Sequence, residues 1–314
     1  MKAIRFTIGA SRGYALMFAS VLTNSSTYII SKLLLNQLSL LVFGFWWFGL
    51  GMLWNGLNIY RKWKGRSLIV PSRRAWPWLM WIGFIEVIAT FSFFTAVRLA
   101  PNPSIIAFLN NLAPVFVIIL AVIFLDEHIT AADFIAFAVT MAGAVLITGE
   151  ALLNLSLLFR SGSGFILVSA MLYAVSTVSM KRNVGILDAS LVTYNRSVLM
   201  FMACWLGWLV SAEGSLLIKP ALWPLLLPGS MMGPFLTVFL TYSALRYIDA
   251  SKVSVISTGR MFFVLVGTWM VFGKLPALRQ VWGGIMIIVG IWMLTIGKPA
   301  VQMWWRACSG WVKR

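Results

Sequence analysis

The sequence predicts an all-α integral membrane protein whose ten transmembrane helices form two inverted five-helix repeats, with both termini in the cytoplasm. Three observations predict this. The 314 residues are 61% hydrophobic and 11% charged, with mean hydropathy +0.91, whereas a soluble domain is about 45–50% apolar and about 25% charged. Ten apolar runs approach the roughly 20 residues that a spanning helix needs. Segments of the first half recur in the second at offsets of 147–149 residues.

The runs lie at 13–35, 39–60, 76–97, 104–124, 131–149, 163–181, 189–211, 223–245, 252–272 and 279–297. Each is read as a helix, because lipid offers no partner to an unpaired backbone N–H or C=O. Residues 1–12 form a basic cytoplasmic N-terminus, 13–150 the first repeat and 151–162 an external linker. Residues 163–297 form the second repeat and 298–314 a basic cytoplasmic tail. The tail reads either as a segment lying on the membrane surface or as a frayed end.

Orientation follows from Lys and Arg, which stay on the cytoplasmic side of a membrane protein. With the N-terminus inside, 17 of the 25 basic residues fall in cytoplasmic connections and 6 in external ones. Arg196 and Arg260 lie within spans. The net charge of +17 is therefore read as topological, facing anionic membrane lipid rather than nucleic acid. Trp63, Trp76 and Trp78 flank one cytoplasmic loop, as interfacial tryptophans do.

The repeat is visible residue by residue. Ala96 and Arg98 match Ala244 and Arg246, Glu127 falls on Lys274, Gly143 on Gly290, and Lys32 on Lys181. Five spans per repeat is odd, so the second half enters the membrane upside down relative to the first. Inverted repeats are a recurring plan of secondary transporters, whose halves exchange conformations around a site near the midplane.

Charged groups within spans are costly, about 2.5–3.5 kcal/mol each on insertion scales, and face a cavity or a partner. Three qualify: Glu86, Arg196 and Arg260. At about 1.5 Å per residue they lie roughly 12–15 Å from the cytoplasmic ends of their helices, in one layer. A salt bridge between Glu86 and either arginine leaves the other arginine uncompensated. Arg260 follows the small polar run SVISTG (residues 254–259) and is read as a substrate-binding group for a carboxylate or phosphate, which its planar fork suits. Arg196 is read as structural or as a substrate contact. Glu86 is a candidate proton carrier if unpartnered, and a tie between helices if paired. Asn110 and Asn111 precede Pro114, which bends a helix by removing a backbone bond. They either satisfy freed carbonyls or contact substrate. Asn24 and Tyr173 hold matching repeat positions and are candidate cavity residues. For Tyr28, Thr90, Ser92 and Tyr242 the default reading is packing between polar helix faces.

These residues resemble the drug/metabolite transporter superfamily, specifically its EamA-like ten-helix members, over residues 13–297. The small-polar runs ending at Lys32 and Lys181, the segment Leu112 to Phe116, the turn Asp126-Glu127, and the glycines Gly143 and Gly290 carry the resemblance. Asn24 departs from a tryptophan frequent in the family, Trp46 from an arginine, and Lys274 from a glutamate. The resemblance implies a central cavity between helices 1–4 and 6–9. Helices 5 and 10 would pack behind it, at a homodimer contact. It implies a multi-pass inner-membrane transporter exporting a small-molecule substrate, an amino acid or related metabolite. An antiporter of phosphorylated or carboxylated metabolites, or a flippase of a lipid-linked sugar, are its alternatives.

No catalytic or metal-binding constellation is present in the sequence. His128 stands alone in the loop LDEHIT, and SGSG at 161–164 follows no strand. No nucleotide-binding fingerprint occurs, so no cofactor is expected, and the chain is not read as an enzyme. Cys204 and Cys308 are not expected to pair.

Overall fold

The structure, a computed structural model, describes residues 2–64, 71–99, 109–148, 163–211, 215–273 and 277–311. The linker at 151–162, the beginning of the fourth run and Lys274 lie outside these, as does the side chain of Cys308. Among the described residues the chain is helical, with no strand.

The helices are α1 (Lys2–Leu35), α2 (Leu40–Trp63), α3 (Trp76–Leu99), α4 (Ala113–Leu125) and α5 (Ala131–Thr148) in the first half. In the second are α6 (Ser163–Arg182), α7 (Ala189–Ser211), a composite α8, a composite α9 and α10 (Leu278–Trp311). α8 runs as Trp223–Ser230, a π-helical stretch Met231–Thr237, and Val238–Ala244. α9 runs as Ala250–Ser257 and Arg260–Phe272. Among the described residues, six helical stretches are long and apolar enough to cross a membrane: Leu40–Lys62, Trp76–Phe93, Gly164–Arg182, Pro220–Ala244, Ala250–Gly267 and Leu278–Thr295. Two shorter helices among the described residues, Ala113–Leu125 and Ala131–Ile147, are also apolar. The helix at the C-terminal end continues through Trp311 rather than stopping at 297.

Local chemistry sets the ends. Ser39 caps α2 by accepting from the Val42 N–H at 3.4 Å. Pro114 sits in the first turn of α4, where its missing N–H would have had no partner anyway. Thr130 and Asp133 cap α5 reciprocally. The Asp133 carboxylate accepts from the Thr130 N–H and hydroxyl, and the Asp133 N–H donates to the Thr130 hydroxyl. α8 contains Pro228 and Pro234. Proline cannot supply the regular backbone bond and crowds the turn before it, and the chain widens there into the π-helical stretch. The Thr237 hydroxyl donates to the Met232 carbonyl at 2.8 Å within it.

The two halves match in detail. α4 and the second segment of α9 are both 13 residues long, 147 residues apart, and each ends on a left-handed residue, Asp126 (φ 53°) and Gly273 (φ 65°). Asn111-Leu112 and Thr258-Gly259 form turns at the same repeat position before them. In α9 the winding there is tight, with Thr258 N–H to Val255 O (3.1 Å), Gly259 N–H to Ile256 O (2.9 Å) and Met261 N–H to Thr258 O (3.1 Å).

The packing between halves has the same pattern. α1 lies on α8 and α9 as α6 lies on α3 and α4, and α3 meets α7 as α8 meets α2. α2 pairs with α7, α4 with α9 and α5 with α10. Exchanging the halves turns each contact into another member of this set. α5 and α10 touch through backbone: a Cβ on Gly143 would come within 2.5 Å of the Gly283 carbonyl, and one on Gly283 within 2.6 Å of the Gly143 carbonyl. Small residues permit such approach between membrane helices.

Two apolar clusters fill the interior. One gathers Met17, Leu79, Ile82, Val192, Leu245 and Val253. The other gathers Leu34, Phe43, Trp47, Met200 and Leu226.

Candidate functional site

Glu86 centres a buried network of polar side chains within the spans. Glu86 lies on α3 and is 4% exposed. Its Oε2 accepts from Arg196 Nε on α7. Its Oε1 accepts from the Tyr242 hydroxyl on α8 and from the Ser176 hydroxyl on α6, the latter at 2.7 Å. One carboxylate therefore joins four helices from both halves. Arg196 is 8% exposed and its guanidinium also lies over the Phe48 ring, 5.9 Å from the centroid. A buried carboxylate in an apolar span needs this degree of pairing, since desolvation otherwise makes the charge prohibitive.

Other polar contacts tie helices nearby. Tyr173 on α6 shares a hydrogen bond of 2.8 Å with Thr90 on α3. Asn55 on α2 is fully buried and donates to the Gly51 carbonyl (2.8 Å) and the Ser197 hydroxyl (3.1 Å). A ladder of hydroxyls ties α1 to α8: Ser20 to Thr241 at 2.7 Å, Ser20 to the Thr237 carbonyl at 2.9 Å, and Thr237 to Thr23 at 3.0 Å.

Arg260 stands outside this network. It opens the second segment of α9, and its guanidinium lies 5.9 Å from the ring centroid of Tyr28 on α1. The Ser25 hydroxyl donates to its backbone carbonyl at 3.2 Å. Among the described residues no carboxylate lies within ion-pair distance of Arg260. The three charged residues thus divide into a bonded pair and one arginine that is half-buried beside the exposed Tyr28.

The remaining candidates are dispersed. Asn24 is half-buried on α1, one residue before Ser25. Asn110 is half-buried and Asn111 is 3% exposed. Asn111 Nδ2 has no hydrogen-bond partner among the described residues, so it does not serve a carbonyl freed by Pro114. Thr258, its repeat mate, is 2% exposed and its Oγ1 is likewise unpartnered. Sequence reasoning passed over Thr258, although its offset of 147 from Asn111 pointed to it. It also read Tyr242 as packing, where the structure places its hydroxyl on Glu86. Among the described residues no group of acidic, histidine or cysteine side chains could hold a metal ion.

At one end of the bundle, loops from both halves are held by charge. The Glu127 carboxylate accepts from the Ala250 N–H (2.7 Å), the Ser251 N–H (3.1 Å) and the Ser251 hydroxyl (2.6 Å). Lys62 pairs with Asp188 at 3.4 Å, and Arg246 pairs with the other Asp188 oxygen at 3.6 Å. Lys181 Nζ donates to the carbonyls of Leu245 (2.9 Å) and Ile248 (2.7 Å). Burial works to raise the Asp188 pKa, but Lys62 beside it and hydrogen bonds from Ser190 hold the carboxyl below its ordinary range. At the opposite end, among the described residues, the Trp46 indole N–H donates to the Leu216 carbonyl at 2.8 Å, a neutral tie between halves.

Comparison with known proteins bears on the whole chain. A family model described as the EamA-like transporter family matches residues 11–149 and again residues 160–296. The two matches start 149 residues apart and end 147 apart, the spacing of the repeat. A search of curated proteins found no match. A solved structure titled "Crystal structure of protein" is similar at a TM-score of 0.71, with 16% identity. The alignment covers 95% of this chain and 98% of that one. At that identity the likeness concerns the fold.

Proposed function

The chain belongs to the EamA-like transporter family, and from that premise we propose that it exports a small carboxylate-bearing metabolite, an amino acid or a relative, by alternating access. A membrane transporter of small molecules is what the family gives. The carboxylate is our inference, and one observation carries it. Glu86 is fully engaged by Arg196, Tyr242 and Ser176, which leaves Arg260 without a carboxylate partner among the described residues. A guanidinium fork held over an aromatic ring within a span is suited to bind a carboxylate in two-pronged fashion. It repays its desolvation when an anion arrives.

The architecture of the proposal is ten spans in two inverted halves, 13–150 and 163–297, with the linker 151–162 outside and both termini in the cytoplasm of the inner membrane. The gathering of Lys62, Lys181 and Arg246 at one end of the bundle supports that orientation. The α5–α10 pair, sharing a backbone contact, stands behind the polar network where a homodimer would form. Glu86 serves as the proton-coupling group only in a conformation that parts it from Arg196. Asn24, Asn110, Asn111 and Tyr173 complete the candidate substrate-binding set.

The test is a thermal-shift screen of the purified protein against amino acids, organic acids, phosphorylated sugars, a lipid-linked sugar and cationic drugs, followed by flux in proteoliposomes. Stabilisation by amino or organic acids, with matching flux, is the expected result. Phosphorylated ligands acting alone would favour the antiporter or flippase reading, because the same fork fits phosphate. Stabilisation by cations alone would exclude the role given to Arg260.

A further inference from the structure

Two ties between halves at the basic end use carboxylates whose repeat mates in the sequence are not acidic. Glu127 ends the first half's fourth helix region and clasps the first N–H groups of α9, on the second half. A carboxylate there satisfies orphan donors and meets the positive end of the helix dipole. The repeat mate of Glu127 is Lys274, which can accept nothing and carries the wrong sign for a helix start. Asp188 caps α7 through the Ser190 N–H at 2.9 Å while holding Lys62 of α2. Its mate at an offset of 149 is Ser39, which caps α2 but has no charge with which to draw a lysine across.

The geometry points to a latch that closes the basic end of the molecule, with Glu127 as its main bolt and the Asp188–Lys62 pair as its lesser one. A chain built this way rests with its basic end shut. Access to that end requires Glu127 to leave the α9 N-terminus and Lys62 to leave Asp188. The proposal rests on the reading that the halves move against each other to transport. It adds which end is held closed, and by which residues.

The two bolts differ in strength. Glu127 makes three charge-assisted bonds, two to backbone. The Lys62 side chain is 37% exposed and that of Asp188 22%, so water screens their pair and its contribution is small.

The test reads opening without any substrate. Single cysteines are placed at Ser254, on α9 one turn inside the latch, or at Val192, on α7. Both are buried, at 7% and 2% or less respectively, in a chain carrying Cys204→Ser and Cys308→Ser. Alkylation rates are measured on the full-length purified protein. Glu127→Gln should raise the rate at both positions by roughly tenfold, and Lys62→Gln by less than about fivefold. Asp126→Asn removes a neighbouring charge that bridges no halves and should leave both rates unchanged. A rise at Ser254→Cys alone means only that α9 frays, and overturns the latch. Unchanged rates in both variants, or an equal rise in Asp126→Asn, overturn it too. Flux measured beside these rates separates the two readings. Faster alkylation without any flux removes the transport proposal and keeps the latch, whereas normal flux with unmoved rates does the reverse.

Discussion

Asn111 and Thr258 occupy the same place in the two halves, each at the turn before a 13-residue helical segment, and each is buried with a polar atom that has no hydrogen-bond partner among the described residues. A buried donor left unmade costs about 1–3 kcal/mol. Two such costs at matching positions are readily understood if the turns are hinges whose side chains find partners in another conformation. Tight 3₁₀-like winding within a helix often marks such a point. Thr258→Val keeps the shape and removes the hydroxyl. It should leave the thermal midpoint of the resting protein unchanged or higher while slowing turnover. A lower midpoint would show that the hydroxyl is already bonded at rest.

Glu86 and Arg196 give a second prediction. Gln at 86 still offers an oxygen to Tyr242 and Ser176 but leaves the guanidinium of Arg196 buried and unpaired. Breaking a buried pair from one side costs about 3–5 kcal/mol, while removing both charges is often nearly neutral. Glu86→Gln should therefore lower stability by that order, and Glu86→Gln with Arg196→Met should recover most of it. Chemical or thermal unfolding of Glu86→Gln, Arg196→Met alone and the double variant closes the cycle. No recovery in the double variant would mean that the pair is not what holds the four helices.

How much of this was legible in the sequence depends on which geometry a residue's chemistry needs. Helix positions follow from the length of apolar runs, and the repeat from near-constant offsets. The structure adds to these the equal lengths and left-handed ends of α4 and the second part of α9. That Glu86 and Arg196 lie close enough in depth to meet was legible as well, since rise per residue is fixed, and the structure bonds them. Which arginine meets Glu86 was not, because partner choice depends on rotation about each helix axis. That rotation is set by packing: Gly83 of α3 lies tight against Asn195 and Leu199 of α7, bringing Arg196 to Glu86. The π-helical stretch of α8 was also out of reach. Pro228 and Pro234 mark a disturbance, and only the surrounding helices decide whether the chain kinks or widens.

The α5–α10 contact yields a third prediction. A Cβ at Gly143 would lie 2.5 Å from the Gly283 carbonyl and 2.9 Å from the Ile287 backbone nitrogen. Backbone cannot swing aside as a side-chain tip can, so Gly143→Val must push the helices apart. Overpacking of this kind costs about 1–3 kcal/mol or more. The variant should show a lower midpoint, and Gly164→Ala, where nothing lies within 4 Å, should not. Equal midpoints would show that α5 and α10 do not meet through their glycines.

Asp188 makes stability depend on pH in a definite direction. Lys62, Arg246 and the Ser190 N–H face it, and its folded pKa lies below the ordinary value of 3.8. A depressed carboxyl pKa stabilises the fold above the unfolded value and loses that contribution as pH falls through the folded one. The contribution is thus whole at neutral pH and fades only below about pH 4. Asp188→Asn should flatten the acid limb of a midpoint-against-pH curve in that window. A change confined to neutral pH would point to a different group.

Arg260 supplies the prediction most directly tied to cargo. Its guanidinium contacts the Tyr28 ring and no carboxylate among the described residues, so removing its charge breaks no ion pair there. Arg260→Gln should leave the ligand-free stability within about 0.5 kcal/mol of the parent, as substitutions away from structural ties do. It should at the same time abolish the thermal shift given by anionic ligands. Arg260→Lys keeps the charge but loses the planar fork, and should weaken that shift rather than remove it. A protein that keeps its full ligand response in Arg260→Gln binds its substrate elsewhere. One that is destabilised without ligand has an acidic partner for Arg260.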